Sequence, residues 1–330
     1  MKANTIILEG GLGNRMRVAA ATYAMAKYAG IPMRVLWTSQ WGMRCRFEEL
    51  FKAPADPADR SAEALFCISD TSSFLFARPT LKNLHLPRLL QRLCYRHIIY
   101  APQIWYLNKD GFDYENWFWQ GGTLMTAYRD FCPWTSDDLR TLFQPNDEVQ
   151  RLIDERTADF TPNTIGVHIR RTDHQQAIDE SPLELFFEAI DKELEASPLT
   201  LPVREGANTF DNGKTDACSE HSTPSLTGRV RGGSSSIYLA TDDESTKAAM
   251  RKRYGSRVIM SDAKATREST DGIRDALVEM YALSRTSHIF GSAGSTFSPI
   301  AACLGDIPIT ILQRDGTGSV DLLCQNLHQI

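Results

Sequence analysis

Within nine residues, Ile165-Gly166-Val167-His168-Ile169-Arg170-Arg171-Thr172-Asp173 passes from an apolar run to a cluster of His, two Arg and Asp. The apolar part reads as a buried strand, and ligands of an open α/β sheet sit at the carboxyl ends of its strands. Two guanidiniums there suit a diphosphate, because each is a planar fork of donors that never loses its charge. The plainer alternative is an ion-paired strand end on the surface. Two later stretches repeat the pattern. Ile237-Tyr238-Leu239-Ala240-Thr241-Asp242-Asp243 is again a strand with a polar end. His288-Ile289-Phe290-Gly291 leads into Ser292-Ala293-Gly294-Ser295-Thr296-Phe297-Ser298, whose small residues can open a helix N-terminus onto an anion.

The amino-terminal stretch is of the same kind. Thr5-Ile6-Ile7-Leu8 is a short strand, followed by Glu9-Gly10-Gly11-Leu12-Gly13-Asn14-Arg15 and then by Met16, Ala19, Ala20, Tyr23 and Ala24 at helical spacing up to Gly30. Glycines let a backbone approach a ligand closely, and the helix N-terminus favours anionic groups. The turn is neither the dinucleotide fingerprint nor a P-loop. A tight turn that simply needs glycine explains it equally well.

Elements of alternating type must position these residues. Met33-Val35-Leu36-Trp37 reads as a second strand, whereas residues 42–120 are irregular, aromatic and interrupted by proline. Within them, Leu86 to His97 sets Arg88, Arg92, Arg96 and His97 among Leu89, Leu90 and Leu93, as in an amphipathic helix with a solvated basic face or an acceptor or partner surface. Asp147 can cap a helix bearing Val149, Leu152 and Ile153, and Ser181-Pro182-Leu183-Glu184 has the form of a capping box. Lys247 to Tyr254 reads as a helix, Val258-Ile259-Met260 as a strand, and Ile273, Leu277, Met280 and Tyr281 mark a helix carrying Glu279. Strand, helix, strand, helix, strand, turn, helix is a doubly wound half. The expected division is therefore 1–146 and 147–330, each an α/β domain, with a polar insertion at 198–236 that has too few apolar residues to bury.

Bulk properties exclude several classes. At 330 residues, two domains are the default. Lys plus Arg is 36 and Asp plus Glu is 41, a net charge of −5, which argues against broad nucleic-acid or membrane-surface binding. No apolar run reaches the roughly 20 residues of a bilayer span, and the N-terminus enters a strand after one Lys, unlike a signal peptide. Seven cysteines without paired spacing fit reduced thiols and a cytoplasmic location. No Cys/His spacing resembles a zinc site, and no carboxylate cluster for Mg²⁺ stands out.

His-x-Arg-Arg-x-Asp, Ala-Thr-Asp-Asp and Gly-Ser-x-Gly-Ser-Thr-Phe-Ser, in that order on that topology, make the second half resemble the GDP-fucose fucosyltransferases. Gly166 to Asp173 and Tyr238 to Asp243 are most similar to the α-1,6 family, including the bacterial nodulation enzymes, and Glu9 to Arg15 is similar to the opening glycine motif of the α-1,2 family. The likeness covers residues 145 to 300 apart from the insertion, and residues 5 to 30.

The resemblance implies two Rossmann-like domains facing a cleft, the GT-B fold. It implies a nucleotide sugar and a glycan acceptor as partners, GDP-fucose held mainly by the second domain, and inversion at the anomeric carbon. It implies no metal and no cofactor beyond the donor. By that likeness Arg170 holds the β-phosphate with Arg171 beside it, His168 and Glu279 face the guanine, and Ser295, Thr296 and Phe297 lie at the phosphates. Thr241, Asp242 and Asp243 line the nucleotide pocket or hold the arginines, and Gly11, Asn14 and Arg15 approach the donor from the first domain. For the base that takes the acceptor proton, Glu9 at the end of the first strand and Asp173 are the candidates. Each residue has a plainer explanation: a satisfied interior histidine for His168, an exposed helix carboxylate for Glu279, helix capping for Asp242 and Asp243. A transferase using another nucleotide sugar, or a binding protein without catalysis, fits the same residues.

The insertion yields the first test. Surface loops tolerate changes of length, and this segment has little to bury. Replacing residues 203–234 by a short Gly/Ser linker should leave the melting temperature within a few degrees; a collapse would mean that the segment packs.

Overall fold

The structure is a computed structural model that describes residues 4–40, 43–53, 65–171, 175–196, 235–263, 266 and 268–329. Asp173 and the expected insertion, apart from Ser235 and Ser236 at its end, lie outside the described residues.

The first half contains β1 (Asn4–Leu8), α1 (Leu12–Ala29), β2 (Met33–Thr38), β3 (Phe66–Thr71), α2 (Leu86–Cys94), β4 (His97–Ile99), α3 (Ala101–Lys109), α4 (Tyr114–Trp119), β5 (Thr123–Ala127) and α5 (Ser136–Leu142). The second contains α6 (Asp147–Arg156), β6 (Ile165–Ile169), α7 (Gln175–Glu180), α8 (Leu183–Ala196), β7 (Ile237–Thr241), α9 (Glu244–Tyr254), β8 (Val258–Met260), α10 (Thr270–Leu283), β9 (Ile289–Ser292), α11 (Phe297–Gly305), β10 (Ile309–Gln313) and β11 (Gly316–Gly318).

The first sheet is wholly parallel, in the order β3-β2-β1-β5-β4. Every residue of β1 and β5 is buried, as expected of central strands covered on both faces. The edge strand β3 is half-exposed and β4 has three residues, which is why residues 42–120 show no clear period. The second sheet runs β11-β10-β9-β6-β7-β8, parallel except for β11. The chain thus forms two doubly wound α/β units, as the element pattern predicts for the second half and the resemblance implies for both. In each, the strand order reverses beside the first strand, between β1 and β5 and between β6 and β9. At such a switch point neighbouring loops diverge and leave a crevice at the carboxyl ends.

Helix α1 joins the halves. Ala19, Ala20, Ala21, Ala24 and Ala26 are buried, and their small side chains let it pack against both α5 and α11. Arg17 on this helix is 3 % exposed and lies 3.6 Å from the Asp130 carboxylate. Asp130 Oδ2 also accepts the indole N–H of Trp134 at 2.9 Å and the backbone N–H of Leu323 at 2.8 Å. Arg17 Nη1 donates to the Asp321 carbonyl at 2.7 Å. The C-terminal segment thereby returns to the first half, where Leu323 and Gln325 exchange backbone hydrogen bonds with Trp134.

Two local expectations change. Asn146, not Asp147, caps α6, its side chain accepting the Val149 N–H at 3.0 Å; Asp147 is the first helical residue. The Ser181 hydroxyl, expected to cap α8, donates to Leu312 O at 2.6 Å and accepts the Ala293 N–H at 2.8 Å, tying the α7–α8 corner to the sheet.

Removing one member of a buried ion pair leaves the other charge without compensation, at a cost of about 3–5 kcal/mol. Asp130→Ala should therefore lower unfolding stability by that order in a denaturant titration. A loss below about 1 kcal/mol, the range of an exposed pair, would show that the Arg17–Asp130 network carries little.

Candidate functional site

Strand β6 presents two chemistries on two faces, because successive side chains alternate. Ile165, Val167 and Ile169 pack with Phe186, Ile190 and Met250. Gly166 and His168 take the other face, against Thr286 and Ser298. His168 is buried, its Nδ1 3.3 Å from Ser298 Oγ, and its ring stacks on Phe297 at 4.8 Å and 27°. Burial, and then the Arg170 charge, push its pKa down to about 3, so the imidazole is neutral. The Arg170 backbone N–H donates to Ser292 Oγ at 3.1 Å, and that hydroxyl donates to His168 O at 3.3 Å. The ends of β6 and β9 are locked together at the switch point.

Arg171 points elsewhere. Its backbone N–H donates to Asp242 Oδ1 at 2.8 Å, and its guanidinium donates to Ser181 O at 2.8 Å, Arg170 O at 3.3 Å and Ala177 O at 3.4 Å. These bonds hold the α7–α8 corner. Arg15 is also a clamp rather than a ligand-facing group. It is fully buried, donating to Gly10 O, Thr38 O and Gln40 O at 2.8–2.9 Å, with its charge 5.2 Å over the Trp37 ring. It fixes the glycine turn to the end of β2 and has no exposed surface through which to meet a ligand.

The end of β7 divides its labour. Asp243 caps α9, accepting the Thr246 N–H and Thr246 hydroxyl at 2.7 Å each. Thr241 is buried, and its Oγ1 accepts the Asp243 N–H at 3.3 Å. Asp242 is half-buried, and its charge acts on His168, Arg171 and Glu279 alike. Glu279, on α10, is part-buried, not an exposed helix carboxylate. Burial, reinforced by Asp275, pushes its pKa up to about 8 against the pull of Arg156 and Lys247.

Two helix N-termini meet above these strand ends. Gly10 turns the chain at φ +81°, Gly11 caps α1, and a Cβ on Gly13 would lie 3.0 Å from Thr296 Oγ1 and 3.2 Å from Thr296 O. The Thr296 hydroxyl donates to Asn14 Oδ1 at 3.3 Å, and Ser295 Oγ accepts the Phe297 N–H at 3.3 Å. The glycine turn and the serine segment, 282 residues apart at the Asn14–Thr296 bond, are one local structure here.

On the first-domain side, a cavity of about 340 Å³ opens at the β1–β5 switch point, lined by Glu9, Asn14, Arg78, Arg88, Tyr100 and Thr126 among others. Burial raises the Glu9 pKa, opposed by a hydrogen bond from Thr126 and by the charges of Arg88, Arg15 and Arg78. A carboxylate whose proton affinity is raised in this way, at the edge of a cavity, has the chemistry of a general base. Among the described residues, no group of three or more His, Cys, Asp or Glu is placed to hold a metal ion.

Of the expected site residues, Glu9 and Asn14 line this cavity, Thr296 meets Asn14, and His168 and Phe297 stack on each other at the start of α11. Asp173 is not among the described residues. Within the serine segment, Ser292 ties the end of β6 to β9 and Ser298 meets the His168 ring, roles that no local pattern distinguishes from those of their neighbours. Arg88 belongs to the basic stretch expected as a solvated face or an acceptor surface, whereas Arg78 and Tyr100 sit in the irregular region with no local pattern to mark them.

No protein-family model matches the chain, and no curated protein matches it significantly. Solved structures do. The NodZ α-1,6-fucosyltransferase soaked with GDP-fucose is similar at a TM-score of 0.56 and 16 % identity, over 97 % of this chain and 100 % of that one. Fucosyltransferase NodZ from Bradyrhizobium gives 0.56 and 16 %, over 97 % and 99 %. A variant of Arabidopsis thaliana FUT1 in complex with GDP gives 0.51 and 14 %, over 94 % of this chain and 70 % of that one. The chain has the GT-B fold of these fucosyltransferases.

Glu279 supplies a pH test. Its folded pKa, about 8, lies above the ordinary carboxylate value, so between about 4.5 and 8 the folded protein keeps a proton that the unfolded chain has released. Stability should fall with rising pH across that window. Glu279→Gln should flatten the fall in a series of melting curves; identical pH profiles for both proteins would show that Glu279 ionises freely in the folded state.

Proposed function

We propose that the chain is an inverting glycosyltransferase that moves fucose from GDP-fucose to a hydroxyl of a glycan acceptor. The observation that carries this reading is the contact between the N-termini of α1 and α11, which joins the Glu9 cavity after β1 to the serine segment after β9, whose Ser292 accepts the Arg170 N–H. The fold shared with GDP- and GDP-fucose-bound fucosyltransferases supports the choice of donor.

In this reading the second domain holds the nucleotide. Glu279 accepts from guanine N1–H and N2–H, with the neutral His168 beside the base. The backbone N–H groups opening α11 and the Arg170 guanidinium receive the diphosphate. When the C1–O bond to the β-phosphate breaks, negative charge grows on the departing GDP. A fixed guanidinium stabilises that charge more in the transition state than in the ground state. The acceptor hydroxyl attacks C1 from the opposite face and gives its proton to Glu9, forming the new glycosidic bond with inversion. The cations of this scheme belong to the protein, so transfer should persist in EDTA. Arg171 and Arg15 act at one remove, by holding the backbone on which Arg170 and Glu9 sit.

Ligand binding to the native state raises its stability by mass action. GDP and GDP-fucose should raise the melting temperature and UDP should not; equal shifts with UDP-glucose would remove the fucosyl reading. Because guanine recognition requires an ionised Glu279, GDP affinity should tighten as pH rises toward about 8.

Arg170→Lys keeps the charge but loses the planar fork. Turnover of GDP-fucose should drop by about 10² to 10³, as for Arg170→Ala, with the melting curve little changed. Near-wild-type turnover in the lysine variant would exclude a bidentate phosphate contact. Glu9→Gln should lower turnover by about 10² to 10⁴ with GDP binding retained.

A further inference from the structure

Helix α2 is inside out. Leu86, Leu89, Leu90 and Leu93 recur at i, i+3, i+4 and i+7, the spacing that normally marks the face a surface helix buries. Here Pro87 and Gln91 face inward instead, Gln91 donating to Leu75 O at 2.8 Å. The leucines face outward: Leu89 is 55 % exposed and Leu93 75 %, and Leu81 and Leu84 in the preceding turn reach 84 % and 77 %. Two successive left-handed residues, Leu84 at φ 52° and His85 at φ 54°, set the entry to the helix. Non-glycine residues adopt that conformation at a cost. A continuous exposed apolar patch of this kind marks an interaction surface.

Charge identifies the partner. From Ser72 to Lys109 there is no Asp or Glu, while Arg78, Lys82, Arg88, Arg92, Arg96 and Lys109 are all basic, in a chain whose net charge is −5. Arg88 and Arg92 are exposed one turn apart, beside the leucine stripe. A second copy of the chain docked on this face would set basic row against basic row. Leucines flanked by arginines suit a surface that is apolar beneath and anionic at its rim, which is the interface of an anionic bilayer.

We propose that residues 81–93 dock the protein on anionic membrane surfaces, with the leucines entering the headgroup–acyl boundary and Arg88 and Arg92 at lipid phosphates. The contact is interfacial: α2 is about 14 Å long, and no helix among the described residues is long and apolar enough to cross a membrane. Arg88 and Gln91 also line the Glu9 cavity, so the lipid surface lies at its mouth. Where Glu9 serves as the acceptor base, which rests on the function proposed above, the acceptor is a glycan carried on a lipid.

The test is co-sedimentation of the full chain with vesicles of phosphatidylcholine alone and of equal parts phosphatidylcholine and phosphatidylglycerol. The protein should bind the anionic vesicles, several-fold less the neutral ones, and lose binding in high salt. The double variant Leu89→Glu/Leu93→Glu should lower partitioning about tenfold or more while keeping the wild-type melting curve, since both side chains are exposed, and Arg92→Glu should weaken it independently. Failure of the wild-type protein to sediment with anionic vesicles, or undiminished binding of the double variant, overturns the proposal. So does a dimer in light scattering that dissociates in the double variant, which would assign the leucines to a protein interface. Vesicle binding is measured without donor or acceptor, so its outcome stands apart from that of the transfer assay.

Discussion

The cleft depends on one close approach. Helices α1 and α11 begin side by side, with Gly13 against the hydroxyl and carbonyl of Thr296. A side chain at position 13 would push the two N-termini apart and with them the two switch points. The alanines along α1 continue the same logic, since small side chains let it pack on α5 and α11 at once. The Arg17–Asp130 pair then holds α1 to the loop after β5, and Asp321 brings in the C-terminal segment.

Around that contact the arginines divide by what their forks meet. Arg15 and Arg171 hydrogen-bond to carbonyls of β2 and of the α7–α8 corner and so rigidify the turns beside the site. Buried cations satisfied this way cost little in strain and keep loops of the cleft in one conformation. The carboxylates divide similarly. Asp243 is a cap, Asp242 an electrostatic hub, and Glu279 and Glu9 are part-buried groups whose pKa values are raised by lost hydration. Perturbed groups in a cleft are the expected signature of a functional centre.

The exposed leucines of α2 lie outside this economy. Core and cleft would be complete without them, and nothing within the described residues covers their outer face. A face that is apolar, basic and adjacent to the Glu9 cavity relates the protein's surface to its proposed chemistry: it would bring the acceptor side of the cleft to a lipid surface.

The sequence by itself determined the element types in the second half, the positions of three polar strand ends and the glycine turn, because hydrophobic period and turn chemistry are local properties. The doubly wound second half followed from their alternation; the same fold for the first half followed from the resemblance, not from its irregular middle. The sequence did not reveal β3 or β4, since edge strands are short and half-exposed and lose their period, and of the cavity residues near them it marked Arg88 but not Arg78 or Tyr100. Nor did it mark Arg15 and Arg171 as clamps of the backbone. The partners that claim Arg15 are carbonyls of Thr38 and Gln40, more than twenty residues away, and those that claim Arg171 are Ala177 and Ser181 around a corner. Every residue carries a carbonyl, so backbone acceptors leave no mark in the sequence. Only tertiary packing decides which guanidinium they occupy.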